Sequence, residues 1–149
     1  MNTAERFLRL SRTRLFGTIG YSLLKAIGIE FPRSVKIGQG VRLPHWAVGL
    51  VVHGKTVLGD RVTLYQGVTL GRADLYRPDS SNANEGIEIG DDVRICAGAK
   101  ILFKSGKKLT IGNGAIIGAN SVVLTSVGDN EVWAGSPARF IKATGIGQL

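Results

Sequence analysis

Cysteine is almost missing from this chain: Cys96 is the only one among 149 residues. One thiol cannot build an intramolecular disulfide framework or a multi-cysteine zinc or iron–sulfur site. Histidine is nearly as scarce, with only His45 and His53. Two imidazoles leave little room for a histidine-rich centre, and no metal is expected. No uninterrupted apolar run approaches the ~18 residues that cross a bilayer, so no transmembrane helix is expected. The lack of disulfides is compatible with a cytoplasmic location, which is the one expected here. Proline is rare at four, whereas glycine numbers 21, about twice its usual ~7% share. Abundant glycine without proline-rich low complexity points to many regularly placed turns. A hydrophobic share of 44% is ordinary for a folded domain and too high for a disordered chain. The length is that of one domain.

The net charge of +8 is unevenly placed. Residues 1–42 hold eight Lys and Arg against two Glu, while residues 43–149 hold eleven against nine acids. Met1 to Gly28 reads as helix, with Leu15, Phe16, Ile19, Leu23 and Ile27 recurring at steps of three and four. Arg6, Arg9, Arg12 and Arg14 gather just before this stripe. A secretory signal would also be basic and then apolar, but Gly, Tyr21 and Lys25 interrupt this one, and no small-residue cleavage site follows. The expected role is a helical collar packed on the body or on a partner subunit. The alternative is peripheral contact with an anionic membrane. Gly17 and Gly20 weaken the helix, and Arg12 falls on the apolar stripe. No basic stripe interleaved with aromatics follows, so no nucleic acid is expected as a partner.

The body carries an internal repeat. Aliphatic residues, most of them followed by Gly or a small residue, recur at steps of six: Val52, Leu58, Leu64 and Leu70, then Ile89, Ile95 and Ile101, then Ile111, Ile117 and Val123. Typical units are Leu58-Gly-Asp-Arg-Val-Thr, Ile89-Gly-Asp-Asp-Val-Arg and Ile117-Gly-Ala-Asn-Ser-Val, and Ile37-Gly-Gln-Gly-Val-Arg opens the series. Six matches neither the 3.6 period of a helix nor a simple strand meander. It fits a solenoid of short strands in which three sides make a coil of about 18 residues. The aliphatic residue then points inward, as does a small residue four places on (Val62, Val68, Ala99, Ala115, Ser121). Gly or Asn near each corner supplies backbone angles that a Cβ would penalise. The register breaks in three places. Ile37 and Val52 are 15 residues apart, Leu70 and Ile89 are 19 apart (one more than three sides), and Ile101 and Ile111 are ten apart. Such insertions emerge as loops where function concentrates.

Gly49-Leu-Val-Val-His-Gly-Lys55-Thr56 matches a phosphate-binding loop letter for letter. That loop needs a helix beginning at its lysine. Repeat follows here instead, so nucleotide binding is not expected.

The period resembles the hexapeptide-repeat acyltransferases, which implies an all-β, left-handed parallel β-helix solenoid after a short N-terminal helical segment. The left hand comes from the resemblance and runs against the right-handed crossover rule. Carbonic anhydrases of the γ type share the fold but need three zinc-binding histidines. The resemblance sharpens at Glu30-Phe-Pro-Arg-Ser-Val-Lys-Ile-Gly-Gln-Gly-Val-Arg-Leu-Pro-His45. In serine acetyltransferases an acid lies fifteen residues before the catalytic histidine, and Glu30 and His45 keep that spacing. Leu50 to Thr56, Val62 to Gly71, Ile95 to Leu102, Gly114 to Leu124 and Ala134-Gly-Ser-Pro-Ala-Arg139 continue the likeness, which covers roughly residues 28–142. It implies that His45 is a general base taking the proton of an acceptor hydroxyl as it attacks the thioester of acetyl-CoA. Glu30 would fix the tautomer of His45 and stabilise its imidazolium. It also implies a homotrimer with coenzyme A along a groove of small residues: Ala97, Gly98, Gly118 and Ala119. Arg139 and Lys142 would meet its phosphates, with Lys104, Lys107 and Lys108 as further candidates.

The departures concern the acceptor. Serine acetyltransferases carry a long N-terminal helical domain, and only about 28 residues precede the repeats here. They have Asp before the catalytic His, where Pro44 stands. Their Asp-Arg-His-Pro run, whose Arg and His line the serine site, is matched by Asn84, Glu85 and Gly86. Leu43-Pro-His-Trp resembles instead the small acetyltransferases of capsule and exopolysaccharide biosynthesis. A sugar hydroxyl is therefore the expected acceptor, with Trp46 offering a flat apolar face and Glu85 a polar contact. The alternatives are L-serine and a non-catalytic solenoid acting as a scaffold subunit. His53 is the alternative base. Cys96 is read as small filler rather than a nucleophile. The expected organisation is a collar at 1–28, the repeat domain at 29–142 and a tail at 143–149.

Overall fold

A computed structural model describes residues 1–78 and 82–145. Two helices come first, α1 (Thr3–Ser11) and α2 (Gly17–Ala26). The rest of the described chain visits three parallel sheets in rotation. These are the three faces of a prism. The first face pairs Lys36–Ile37, Thr56–Leu58, Gly86–Ile89 and Lys108–Ile111. The second pairs Thr63–Leu64, Arg94–Ile95, Ile116–Ile117 and Glu131–Gly135. The third pairs Val51–Val52, Thr69–Arg72, Lys100–Phe103 and Val122–Val123. Pairing is in register, so each repeat unit lies directly on the equivalent unit of the next coil.

The register follows from what must be buried. Leu58, Leu64, Leu70, Ile89, Ile95, Ile101, Ile111, Ile117 and Val123 are no more than 2% exposed. Val62, Val68, Ala99, Ala115 and Ser121 are fully buried beside them, as their spacing predicts. A one-residue slip would turn this column outward, so the aliphatic pattern specifies the pairing. The corners use left-handed backbone at Gly40, Gly49, Gly67, Gly98, Gly114, Asn120 and Asn130, as expected, but also at Arg61 (φ 56°) and Asp92 (φ 57°).

The insertions are corner excursions. Leu70 lies on the third face and Ile89 on the next face, the first. Their separation is thus one side plus a long loop, and not the three sides that 19 residues suggested. The extra residues between Ile101 and Ile111 leave at the same third-to-first edge. Those between Ile37 and Val52 leave at the second-to-third edge, around Pro44–Ala47.

The N-terminal segment is two helices folded together rather than one, because Thr13 to Phe16 turn the chain. The Thr13 hydroxyl accepts from the Phe16 N–H at 3.2 Å. Gly17 and Gly20, which weaken a lone helix, form the buried face of α2 with Leu24. A Cβ on Gly20 would lie 2.3 Å from the backbone N of Ser11, so glycine is what allows the close approach. Leu15, Phe16 and Ile19, expected on the packing stripe, point outward at 83%, 49% and 55% exposure. Ala4, Leu8 and Leu24 instead join the buried cluster, together with Ile29 and Phe31. At the other end, Glu131–Gly135 turns back as an antiparallel hairpin with Ala138–Ala143. Among the described residues no helix is long and apolar enough to cross a membrane.

Candidate active site

His45 sits on the edge between the second and third faces, in a turn of unusual backbone. His45 (φ 52°), Trp46 (φ 61°) and Ala47 (φ 46°) are three consecutive left-handed residues, none of them glycine. Such conformations cost on the order of 1–3 kcal/mol each and persist where the surroundings over-determine them. Leu43, Ala47 and Leu50, all fully buried, anchor the turn. This turn lifts the imidazole and Trp46 to the surface, with Trp46 46% exposed. The His45 ring lies 6.2 Å from that of Tyr65, one coil below.

Glu30 begins the third face. Its N–H donates to Leu50 O at 2.9 Å and its carbonyl accepts from Val52 N at 2.8 Å. The Gly49 N–H donates to Gly28 O at 2.9 Å, stitching the His45 turn to the chain that leads into Glu30. The Glu30 carboxylate accepts from the Tyr21 hydroxyl and pairs with Lys25 Nζ at 3.0 Å, both from α2. The Tyr21 hydrogen bond, aided by Lys25, holds Glu30 below the usual carboxylate range and raises the Tyr21 hydroxyl in turn. Glu30 is thus kept ionised next to the turn of His45, but the two side chains are not hydrogen-bonded to each other within the chain. Tyr21, Lys25 and Tyr65 are partners that sequence reasoning missed. Only the spacing of four between Tyr21 and Lys25, which puts them on one helix face, could have signalled them.

Below His45 and the coil of Tyr65 and Gln66, the same edge is made of small residues. Successive coils are tied by Gly67 N to Val48 O, Gly98 N to Gln66 O and Asn120 N to Ala97 O, at 2.9 Å each. Ala97, Gly98, Gly118 and Ala119 therefore fall on one line with the turn of His45, below the coil that carries Tyr65 and Gln66. A Cβ on Gly118 would meet that of Ala134 at 3.0 Å. Ala134 pairs with Arg139 across the closing hairpin, which brings Arg139 to the foot of this edge. Lys142 pairs with Val132, further along the second face. Cys96, on the same edge, is partly buried, and burial pushes its thiol up, so it stays protonated and makes a poor nucleophile.

The remaining predicted residues lie on the third-to-first edge. His53 Nδ1 accepts from Lys55 N at 3.1 Å, and its ring meets Phe103 edge-on at 5.1 Å. The Glu85 side chain is only 2% exposed; it pairs with Lys55 Nζ and accepts from Gly106 N at 2.6 Å. Asp74 accepts from the N–H and hydroxyl of Ser105 at 3.1 and 3.0 Å. The two insertions on this edge are thus bound to each other. Glu85 and Lys55 line a cleft of about 230 Å³. Lys104 and Lys107 are exposed on this edge, and Lys108 pairs with Glu88 at 3.2 Å.

Residues 81–102 and 108–132 match the family model of the hexapeptide repeat of succinyl-transferase. The chain thus carries that hexapeptide repeat over these two stretches. It is similar to the serine acetyltransferase of Staphylococcus aureus strain N315, at 39% identity over 119 residues, 80% of this chain and 51% of the relative. The serine acetyltransferase of Staphylococcus xylosus is also 39% identical, over 79% of the chain and 50% of the relative. Among solved structures, the Brucella abortus serine acetyltransferase in complex with coenzyme A superposes with a TM-score of 0.75 at 33% identity, over 95% of this chain and 56% of that one. The Neisseria gonorrhoeae serine acetyltransferase in complex with serine gives 0.72 at 32% identity, over 91% and 54%. The chain spans about half the length of the curated relatives it matches. These relatives are acetyltransferases, and neither they nor the family model point to the capsule or polysaccharide subgroup.

Proposed function

We propose that this chain is an acetyl-CoA-dependent O-acetyltransferase with His45 as the general base. The observation that supports it is the shared edge: His45 and Trp46 stand exposed on a strained turn at the head of a line of small residues that ends near Arg139. Pantetheine would run along Ala97, Gly98, Gly118 and Ala119, with Arg139 and Lys142 toward its phosphates. The hydroxyl oxygen attacks the thioester carbon while His45 takes its proton; the C–S bond then breaks and the proton passes to the departing thiolate. The products are an acetyl ester and free coenzyme A, with no acyl-enzyme on Cys96. Glu30 would orient His45 and stabilise its imidazolium.

The comparisons favour L-serine as the acceptor over the sugar hydroxyl, because the relatives are named for serine. A sugar is kept as the second reading on two observations. Glu85 stands where the family's serine-binding arginine would lie, its carboxylate taken up by Lys55 and Gly106. Trp46 leaves a flat face open beside His45. Since Glu85 and His45 occupy different edges, an acceptor touching both would need a neighbouring copy, as in the homotrimer of left-handed prisms that the sequence resemblance implies. A cytoplasmic location belongs to the same reading. The alternative of a membrane contact through Arg6 to Arg14 rests on Arg6, Arg9 and Arg14 being exposed beside the outward Leu15, Phe16 and Ile19 in one chain. Failure to bind anionic vesicles would retire it.

Release of free thiol from acetyl-CoA, measured with L-serine and then with sugars, decides the acceptor. No release with any acceptor would favour the scaffold. His45→Ala is expected to lower kcat by about 100- to 10,000-fold. Unchanged activity with an intact oligomer would hand the role to His53 or end the mechanism.

A further inference from the structure

Both candidate catalytic residues are held by hydrogen-bonded struts from the N-terminal helices. α1 opens with a capping box: Glu5 N donates to Asn2 Oδ1 at 3.0 Å and Asn2 N to Glu5 Oε2 at 2.8 Å. A capping box normally serves only its own helix end. Here both side chains carry a second bond to one distant residue, Leu43. Asn2 Nδ2 donates to Leu43 O at 2.7 Å, and Leu43 N donates to Glu5 Oε1 at 3.0 Å. Leu43 is fully buried and stands two residues before His45, where the left-handed turn begins. A turn of three strained residues needs its entry held, and α1 holds it by both backbone groups of that entry residue.

α2 treats Glu30 in the same way. Tyr21 and Lys25 lie one helical turn apart on the same face, with the Lys25 ammonium 5.5 Å from the centre of the Tyr21 ring. Tyr21 takes one carboxylate oxygen and Lys25 the other. Each oxygen keeps a lone pair, so the carboxylate can still accept from an imidazole N–H.

We infer that the helical collar is a positioning device for acetyl transfer: α1 sets the turn that presents His45, and α2 sets the Glu30 carboxylate beside it. Asn2, Tyr21 and Lys25 are positioning residues; none of them touches the reacting atoms. The inference rests on His45 being the base, and it adds that a segment outside the repeats controls the rate.

The test measures thiol release from acetyl-CoA by the full chain, with L-serine or whichever sugar proves to be accepted. His45→Ala comes first, because an active variant would sink the underlying mechanism itself. Once that variant is inactive, Tyr21→Phe is expected to lower kcat about tenfold while KM for acetyl-CoA stays within about twofold, since misplacing a catalytic group costs rate rather than donor binding. Asn2→Asp keeps the helix cap but loses the donor to Leu43 O, and it should lower kcat in the same way. Lys25→Arg should retain more activity than Lys25→Met. The melting temperatures of these variants should match the parent. Parent-like kcat for both Tyr21→Phe and Asn2→Asp overturns the inference. So does a KM that rises in step with a falling melting temperature, because that is general loosening of the chain.

Discussion

The first-to-second edge and the second-to-third edge are turned by the same six-residue unit, yet one closes on itself and the other stays bare. On the closed edge the third place of the unit holds Asp60, Asp91, Asn113 and Asp129. The Oδ1 of each accepts the backbone N–H of the equivalent residue one coil before, at 2.7–2.8 Å, starting from Gln39. On the bare edge the third place holds Gln66, Ala97 and Ala119. Alanine has no acceptor, so among the described residues no side chain reaches across to the N–H of Gln66 or Ala97. On this edge a Cβ on Gly49 would stand 3.5 Å from Gly67 Cα, and one on Gly67 would stand 3.6 Å from Gly98 Cα. One position of the repeat thus decides whether an edge carries this side-chain cap, while the aliphatic column behind both is the same.

That shared column gives the largest expected effect. Ile101→Ala removes a fully buried side chain and should cost about 2–5 kcal/mol in denaturant unfolding. Both edges should loosen together; loss of donor binding alone, at unchanged stability, would break the claim that they share one core. Next comes the closed edge. Asp91→Ala leaves the partly buried Asp60 N–H without its acceptor, an expected loss of about 1–3 kcal/mol. Asp91→Asn keeps an acceptor oxygen and should stay within about 0.5 kcal/mol of the parent. Equal losses for the two would mean that the ladder of side chains contributes nothing.

Much of this architecture was legible because a period of six ties each inward residue to its neighbours above and below. Isoleucines 89, 95, 101, 111 and 117 announced the column, and every one is buried. Partnerships between coils were less visible. Arg61 and Asp92 occupy corner slots where glycine or asparagine was expected. The bidentate pair between them, 2.7 and 2.8 Å, joins residues 31 apart. Lys55 and Glu85 meet across 30 positions, with a loop between them. Gly17 and Gly20 read as weak points of a helix because a single sequence does not show what packs against them; α1 approaches closely at Gly20, and the Arg33 side chain lies where a Cβ on Gly17 would stand. At the candidate site, His45, Glu30 and the small residues were singled out from motifs. Tyr21 and Lys25 were not, since hydrogen bonds from a helix to a strand leave no periodic trace.

The bare edge can be converted into the closed kind. Ala97→Asp would place a carboxylate where Asp91 stands on its own edge, able to accept from Gln66 N. KM for acetyl-CoA should rise about tenfold or more as the groove fills and its free N–H is claimed. The melting temperature should hold or increase. A variant that unfolds would show that the two edges are not interchangeable in geometry, and one with parent KM would move the donor site off this edge.

The smallest expected effect concerns the exposed pair on the closed edge. The hydrogen bond from Arg61, then the attraction of its charge, holds Asp92 below the usual carboxylate range. A carboxylate with a lowered folded-state pKa adds stability at pH above its unfolded value near 3.8, and that contribution disappears as pH falls through the folded value. Arg61→Asn suits the left-handed backbone at this corner and removes the pair with Asp92 along with the longer contact to Asp60 at 3.9 Å. The difference in melting temperature between parent and variant should therefore be steady from neutral pH down to about 5 and shrink below about 4. Because both side chains are more than half exposed, the same difference should also shrink in ~1 M salt, where charges are screened within ~3 Å. A difference untouched by acid and by salt would assign the effect of Arg61 to its backbone conformation, leaving the ladder of Asp and Asn side chains as what holds that edge closed.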